Sequence, residues 1–215
     1  YIIVPGLFSI FNTARMMGAG SKIEPAFTSS LLSLNPPEQW LTSIASLFSP
    51  DLLGRGSIFT GWLNYLDAPH FYIGLIALLL VPQVFCGRSA RFRTLIGIVL
   101  CLCLMYLFLP WFRYALNAFQ GHYYKTSSFW VSLSLAGFAA LALDNCIRNR
   151  VLNIPLLVIT FALCLYFLYA IDHNTFVSSY LDLDKNTNTL AVILFLITSY
   201  FISLLFLKSS KLRML

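Results

Sequence analysis

The sequence predicts an all-α, polytopic transmembrane helix bundle, and its composition and its apolar runs are the basis of that prediction. Of the 215 residues, 59% are hydrophobic and only 10% are charged. Soluble domains are about half apolar and about a quarter charged, so this chain has too little polar surface for a water-soluble fold. Five apolar runs approach the roughly 20 helical residues that cross a hydrocarbon core.

The five predicted spans are helices rather than strands. Lipid offers backbone groups no hydrogen-bonding partner, so each segment must satisfy its own. The predicted spans are His70–Cys86, Thr94–Phe112, Ser128–Asp144, Leu152–Ile171 and Leu190–Leu207.

Basic residues in alternate connections predict the orientation. They are concentrated in Gly87–Arg93, in Asn145–Val151 and in the tail that begins at Lys208, and none of these segments contains an acid. The positive-inside rule places all three in the cytoplasm, together with the C-terminus. The formal net charge of +6 is therefore interpreted as a topology signal and not as a nucleic-acid surface. All four tryptophans fall on the opposite, outer side.

The N-terminal third divides into two predicted parts before the five-helix region at 70–215. Residues 1–11 look like the outer end of a truncated transmembrane helix, which indicates a fragment of a longer protein. Residues 12–69 form a long non-cytoplasmic segment. Within it, Asn35-Pro36-Pro37-Glu38 is a typical helix start, and apolar residues then recur at helical spacing. An amphipathic helix at 36–48 is expected to lie in the outer interface as a lid or a groove wall.

Arg113 is the first candidate for substrate binding, because it lies at the outer end of the second predicted span. A guanidinium at that depth is suited to bidentate binding of a lipid phosphate. Snorkelling of the side chain to the interface is an equally good explanation.

The stretch Gln120-Gly-His-Tyr-Tyr-Lys125 is the second candidate, in the outer connection that follows. Tyr123, Tyr124 and Lys125 combine aromatic faces, hydroxyls and positive charge, which suit a sugar or a phosphate. An aromatic belt with a snorkelling lysine is the alternative.

Arg55 and His70 are weaker candidates. Arg55 stands between Gly54 and Gly56, which would let backbone approach a ligand, although glycines are also ordinary turn residues. His70 lies close to Asp67, and such a pair can transfer protons. Capping of a helix start is the alternative role for Asp67.

No motif predicts a cofactor or a resident metal. The chain lacks a nucleophile elbow, a P-loop, a dinucleotide fingerprint and a zinc signature. Asp182 and Asp184 have the oxygen ligands that a divalent cation takes, but Lys185 beside them favours a solvated turn.

Several segments together resemble the YfhO family of bacterial membrane proteins, over roughly residues 1–150. The segments that carry the resemblance are Ser46–Asp51, Asn64, Phe71–Leu80, Asn117–Gly121, Tyr123–Lys125, Phe129 and Asp144. That family belongs with the GT-C glycosyltransferases. The resemblance implies a multi-pass protein of the bacterial cytoplasmic membrane that transfers a sugar from a polyprenyl-phosphate donor to a cell-envelope polymer or lipid on the outer face.

The same resemblance implies that the catalytic carboxylate lies in a first outer loop, which corresponds to no position of this chain. Donor or acceptor binding is then the role expected for Arg113, Tyr123, Tyr124 and Lys125, and less strongly for Arg55 and His70. A non-enzymatic membrane protein is the alternative, whether a lipid flippase, a transporter or an assembly scaffold. Ion-coupled transport is disfavoured because no predicted span carries a charge in its middle.

Overall fold

A computed structural model describes residues 34, 36–54, 56, 59–62, 68–116, 124–173 and 187–209. In these residues all regular structure is helical, which confirms the predicted fold class. The helices are α1 Pro37–Phe48, α2 Leu75–Leu80 with its 3-10 continuation Val81–Phe85, α3 Ala90–Phe108, α4 Pro110–Leu116, α5 Tyr124–Asn149, α6 Ile154–His173 and α7 Thr187–Ser209.

Four of these helices, α3, α5, α6 and α7, are long and apolar enough to cross a membrane. They correspond to the last four predicted spans. The predicted second span ran on to Phe112, but α3 ends at Phe108, with extended backbone at Leu109 and Pro110 next. Proline cannot donate the next helical hydrogen bond, and it disfavours helical backbone in the residue before it. A separate short helix, α4, therefore follows.

The first predicted span, His70–Cys86, is not one continuous helix. Its backbone is irregular as far as Gly74, is α-helical for six residues and is 3-10 helical for five. An α-helix rises about 1.5 Å per residue and a 3-10 helix about 2.0 Å, so the helical part covers roughly 19 Å. Extended residues add about 3.3 Å each, which brings the segment close to the roughly 30 Å of a bilayer core.

Gly74 allows the change from extended chain to helix, because its φ of 93° lies where side chains with a Cβ are strained. Side chains of neighbouring helices form hydrogen bonds with the irregular backbone that precedes Gly74. The Phe71 N–H donates to the Ser46 hydroxyl on α1 at 3.3 Å, and the Ser132 hydroxyl on α5 donates to the His70 carbonyl at 3.2 Å. Irregular backbone at membrane depth is tolerated only where protein covers it in this way.

The bundle has two distinct ends. The α1 end contains α1, the start of α2, the end of α3 and the start of α5, as shown by the contact of Trp40 with Phe108 and by the bond from Ser132 to His70. The basic end contains the opposite helix termini. Lys208 donates to the carbonyl of Leu152 there at 2.7 Å. The predicted basic segments at 87–93 and 145–151, together with Lys208, thus meet at one end.

Buried amides lock the basic end together. Gln83 is 2% exposed, and it exchanges two hydrogen bonds of 3.0 Å with the backbone of Asn153, one with the N–H and one with the carbonyl. Asn145 donates to the carbonyl of Cys86 at 2.9 Å. These bonds fix the 3-10 segment against α5 and the start of α6.

The predicted amphipathic helix is present, one residue shorter than expected, and it buries polar and small residues together with part of its apolar stripe. Pro36 takes the N-cap position, and Glu38 makes no capping hydrogen bond. The buried side is largely polar or small, whereas Ile44 is 38% exposed. The buried residues of α1 are Gln39, Thr42, Ser43, Ala45, Ser46 and Phe48. α1 packs on the bundle through both kinds of residue, since the hydroxyls of Thr42 and Ser46 accept backbone N–H groups while Phe48 stacks on Phe167.

Candidate functional site

Arg113 is buried where α3 ends. It lies on α4, is 3% exposed, and donates through Nη1 to the carbonyl of Tyr106 at 3.2 Å and to that of Leu107 at 3.4 Å. These carbonyls belong to the last turn of α3, so Arg113 caps the C-terminal end of that helix. A cation there also complements the negative end of the helix dipole. Arg113 is thus held in place by α3, and snorkelling to the interface does not describe it.

An apolar groove runs beside this arginine, between α3, α4 and α5. It has a volume of about 300 Å³ and is lined by Val99, Leu102, Cys103, Tyr106, Phe112, Leu116, Trp130, Val131 and Ser134. Three of its lining residues are exposed on the outside of the bundle: Leu102 (46%), Leu116 (59%) and Trp130 (67%). The groove therefore opens on the surface that faces lipid.

Tyr106 links the groove to the arginine. Its side chain lines the groove and is 3% exposed, while its carbonyl accepts the guanidinium. α4 supplies Arg113 and also the groove residues Phe112 and Leu116. The positive charge is thus anchored in the elements that form the apolar groove, at the α1 end of the bundle.

The extended chain around His70 packs near the same place. Phe71 is 1% exposed and belongs to a buried cluster with Cys103, Tyr106 and Val131, all three of which line the groove. Nε2 of His70 is buried. No described contact joins His70 to Arg113 directly. The structure brings these two predicted residues to one end of the bundle, through Phe71 and Tyr106.

The remaining predicted binding residues are only partly described. Tyr124 and Lys125 form the first turn of α5, and only their backbone is placed. Arg55 and Tyr123 lie outside the described residues, as do Asp67, Asp182 and Asp184. Residues 117–123 connect α4 to α5, the two helices that flank the groove with α3. The predicted roles of these residues remain predictions.

Sequence reasoning missed three features of this end. It did not foresee the groove, the inward polar face of α1, or the break in the first span at Gly74. Only the break had a signal in the sequence, because a glycine at position 74 and a proline at position 82 both interrupt helices. The groove depends on how three helices pack, which periodicity does not report.

Metal binding has no visible support in the part of the chain that the structure describes, where no three His, Cys, Asp or Glu side chains group together. Comparison of the chain with protein-family models, curated proteins and solved structures gave no match. What the chain does must therefore be argued from its own groove, charges and helix ends.

Proposed function

We propose that this chain is part of a membrane glycosyltransferase and binds its polyprenyl-phosphate sugar donor, for transfer to a cell-envelope acceptor on the outer face of a bacterial cytoplasmic membrane. The observation that carries the proposal is the apolar groove between α3, α4 and α5, with Arg113 fixed beside it. A polyprenyl-linked donor combines a long apolar chain with a phosphate, and the site combines the two matching environments.

The groove supports binding of a chain through its shape. Lipid tails are as apolar as leucine, so hydrophobic transfer cannot draw a polyprenyl chain from the bilayer into a protein groove. Preference for a polyprenyl chain over ordinary lipid tails must therefore come from how closely the chain packs against the side chains that line the groove. Tyr106, Phe112 and Trp130 supply large faces of that kind, and the branched chain of a polyprenol differs in shape from a straight acyl tail.

The charge supports binding of a phosphate at the α1 end. The Arg113 guanidinium is held in place by the carbonyls of Tyr106 and Leu107 and keeps its positive charge there. Its position adds positive charge near the chain's route out of the groove. Tyr123, Tyr124 and Lys125 follow in the sequence, at the end of the connection between α4 and α5 and in the first turn of α5. We assign these residues to the phosphate and the sugar as part of the proposal.

Transfer kinetics with a matched pair of variants test the proposal. Trp130 lines the groove and is 67% exposed, whereas Phe195 on α7 is 71% exposed and lies away from it. In full-length protein, Trp130→Ala should raise the KM for a polyprenyl-phosphate sugar roughly tenfold by removing a packing wall. Phe195→Ala should leave it within about twofold. Equal effects of the two variants would remove the groove from the donor site.

A lipid flippase or an assembly scaffold is the second candidate. The observation that favours it is that the described groove lining includes no acidic residue, so the groove by itself offers no general base. Radiolabelled polyprenyl-phosphate sugar in proteoliposomes separates the two. Label that moves to an acceptor supports the transferase, and lipid that crosses the bilayer with its sugar intact supports the flippase.

A further inference from the structure

The basic end carries an excess of positive charge that the proposed function does not use. Among the side chains that the structure describes, this end holds six basic residues and one acid. The six basic residues are Arg88, Arg91, Arg93, Arg148, Arg150 and Lys208. The acid is Asp144, which pairs with Arg148 at 2.6 Å.

These basic residues fall into two groups. Arg88 donates to the carbonyl of Leu141 and Lys208 to that of Leu152, so both hold helices together. The side chains of Arg91, Arg93 and Arg150 are exposed, and none of these side chains makes a hydrogen bond or an ion pair with the described part of the chain. Three guanidinium groups are therefore available to a ligand.

Arg91 is the first residue of a stripe along α3 whose charged and apolar parts match the headgroup and the acyl chain of a phospholipid. Leu95, Ile98 and Leu102 follow it at intervals of four, seven and eleven residues, which places all four side chains on one face of α3. The three apolar residues are 56%, 53% and 46% exposed. At about 1.5 Å per residue the stripe extends for roughly 16 Å. One cation at the helix end and an apolar track along the bilayer depth match a phosphate and its acyl chain.

We propose that the basic end binds anionic phospholipid, with the lipid phosphate on Arg91 and an acyl chain along Leu95, Ile98 and Leu102. Arg93 and Arg150 raise the positive potential at the headgroup. The exposed apolar track is the reason to assign a lipid and not a free phosphate or an acidic protein, since only a lipid matches both parts of the stripe. The headgroup of this lipid lies at the opposite end of the bundle from Arg113, and its acyl track reaches the donor groove only at Leu102.

Native mass spectrometry of the full chain released from nanodiscs tests the proposal. Nanodiscs would contain phosphatidylglycerol and phosphatidylcholine in equal amounts. Wild-type protein should retain phosphatidylglycerol preferentially. Arg91→Gln should weaken that retention roughly fivefold, as expected for one basic side chain at an anionic surface, whereas Arg91→Lys should keep most of it. Added inorganic phosphate should not displace the lipid.

Arg148→Gln is the matched control, because it removes the same formal charge from the same end but leaves the α3 stripe intact. It should reduce retention less than twofold. Equal losses of retention in Arg91→Gln and Arg148→Gln would mean that the total positive charge of the basic end, and not the α3 stripe, attracts the lipid. Equal retention of the two lipids by the wild-type protein would overturn the proposed site. Both residues are exposed, so neither change is expected to alter folding by more than about 0.5 kcal/mol, and matched unfolding curves would verify this.

Discussion

The two ends of the bundle both bury polar side chains, but they use them differently. At the basic end, Gln83 and Asn145 bond to the backbone of separate elements and tie the 3-10 segment to α5 and α6. At the α1 end, polar groups surround an extended chain and border a groove that is open to lipid. The buried amides thus close the basic end, whereas the α1 end leaves open the groove in which we propose that the donor binds.

The largest expected effect on stability comes from breaking the closure at the basic end. Gln83→Leu removes both hydrogen bonds to the backbone of Asn153 and places an apolar side chain where the buried amide was, which should cost about 2–3 kcal/mol of unfolding free energy. Reversible unfolding in mixed micelles measures it. Ser199→Ala, which removes an exposed bond to the carbonyl of Phe195, should change stability by less than about 0.5 kcal/mol. Similar unfolding of the two variants would mean that the amides do not close this end.

Arg113→Gln should have the next largest effect, a loss of about 2 kcal/mol, because charged hydrogen bonds to the end of α3 are lost. It should also weaken donor binding, which Gln83→Leu should not do in the folded fraction. Donor affinity measured on both variants therefore separates the ends. Unchanged affinity in Arg113→Gln would confine this arginine to capping α3.

Gly74→Ala should destabilise the protein by about 1–2 kcal/mol, because φ is 93° and the added Cβ strains the backbone there. Gly97 is the matched control. A Cβ at either glycine meets no atom within 4 Å, but Gly97 lies inside α3 with ordinary helical backbone. Gly97→Ala should be neutral or stabilising by up to about 1 kcal/mol. Thermal unfolding of both variants tests the break in the first span, and a harmless Gly74→Ala would argue for a continuous helix.

The smallest effect is expected for Ser46→Ala, which removes the acceptor for the Phe71 N–H and should cost about 1 kcal/mol. Faster hydrogen exchange should follow at the Phe71 amide and its neighbours. Ser203→Ala on α7, where the hydroxyl bonds within its own helix, should leave exchange at Phe71 unchanged. If exchange at Phe71 is equally fast in both variants, α1 does not hold the extended segment.

The sequence was sufficient for the fold class, for four long spans and for the alternation of the basic segments, because lipid imposes long apolar runs and polar loops. The predicted end of the amphipathic helix at residue 48 also agrees with the end of α1. These features depend on composition and on local backbone chemistry, which a sequence displays directly.

The packing could not be predicted from the sequence in the same way. The apolar periodicity showed that α1 is amphipathic, but it did not indicate that polar side chains would be buried beside part of the apolar stripe. The hydroxyls of Thr42 and Ser46 accept from the backbone of Trp62 and Phe71. The burial of Arg113 and its bonds to the carbonyls of Tyr106 and Leu107 depend on the break between α3 and α4, which the sequence analysis did not predict. Such features arise from contacts between elements.

Photo-crosslinking tests the proposed donor site most directly. Full-length protein in proteoliposomes would be irradiated with a polyprenyl phosphate that carries a diazirine near its phosphate end, and the labelled peptides would be sequenced. We predict labels on Leu102, Leu116 and Trp130, and their loss when unlabelled polyprenyl phosphate is added in excess. Labels spread evenly over exposed residues of α6 and α7, such as Leu163 and Phe195, and unaffected by the competitor, would contradict a donor site in this groove.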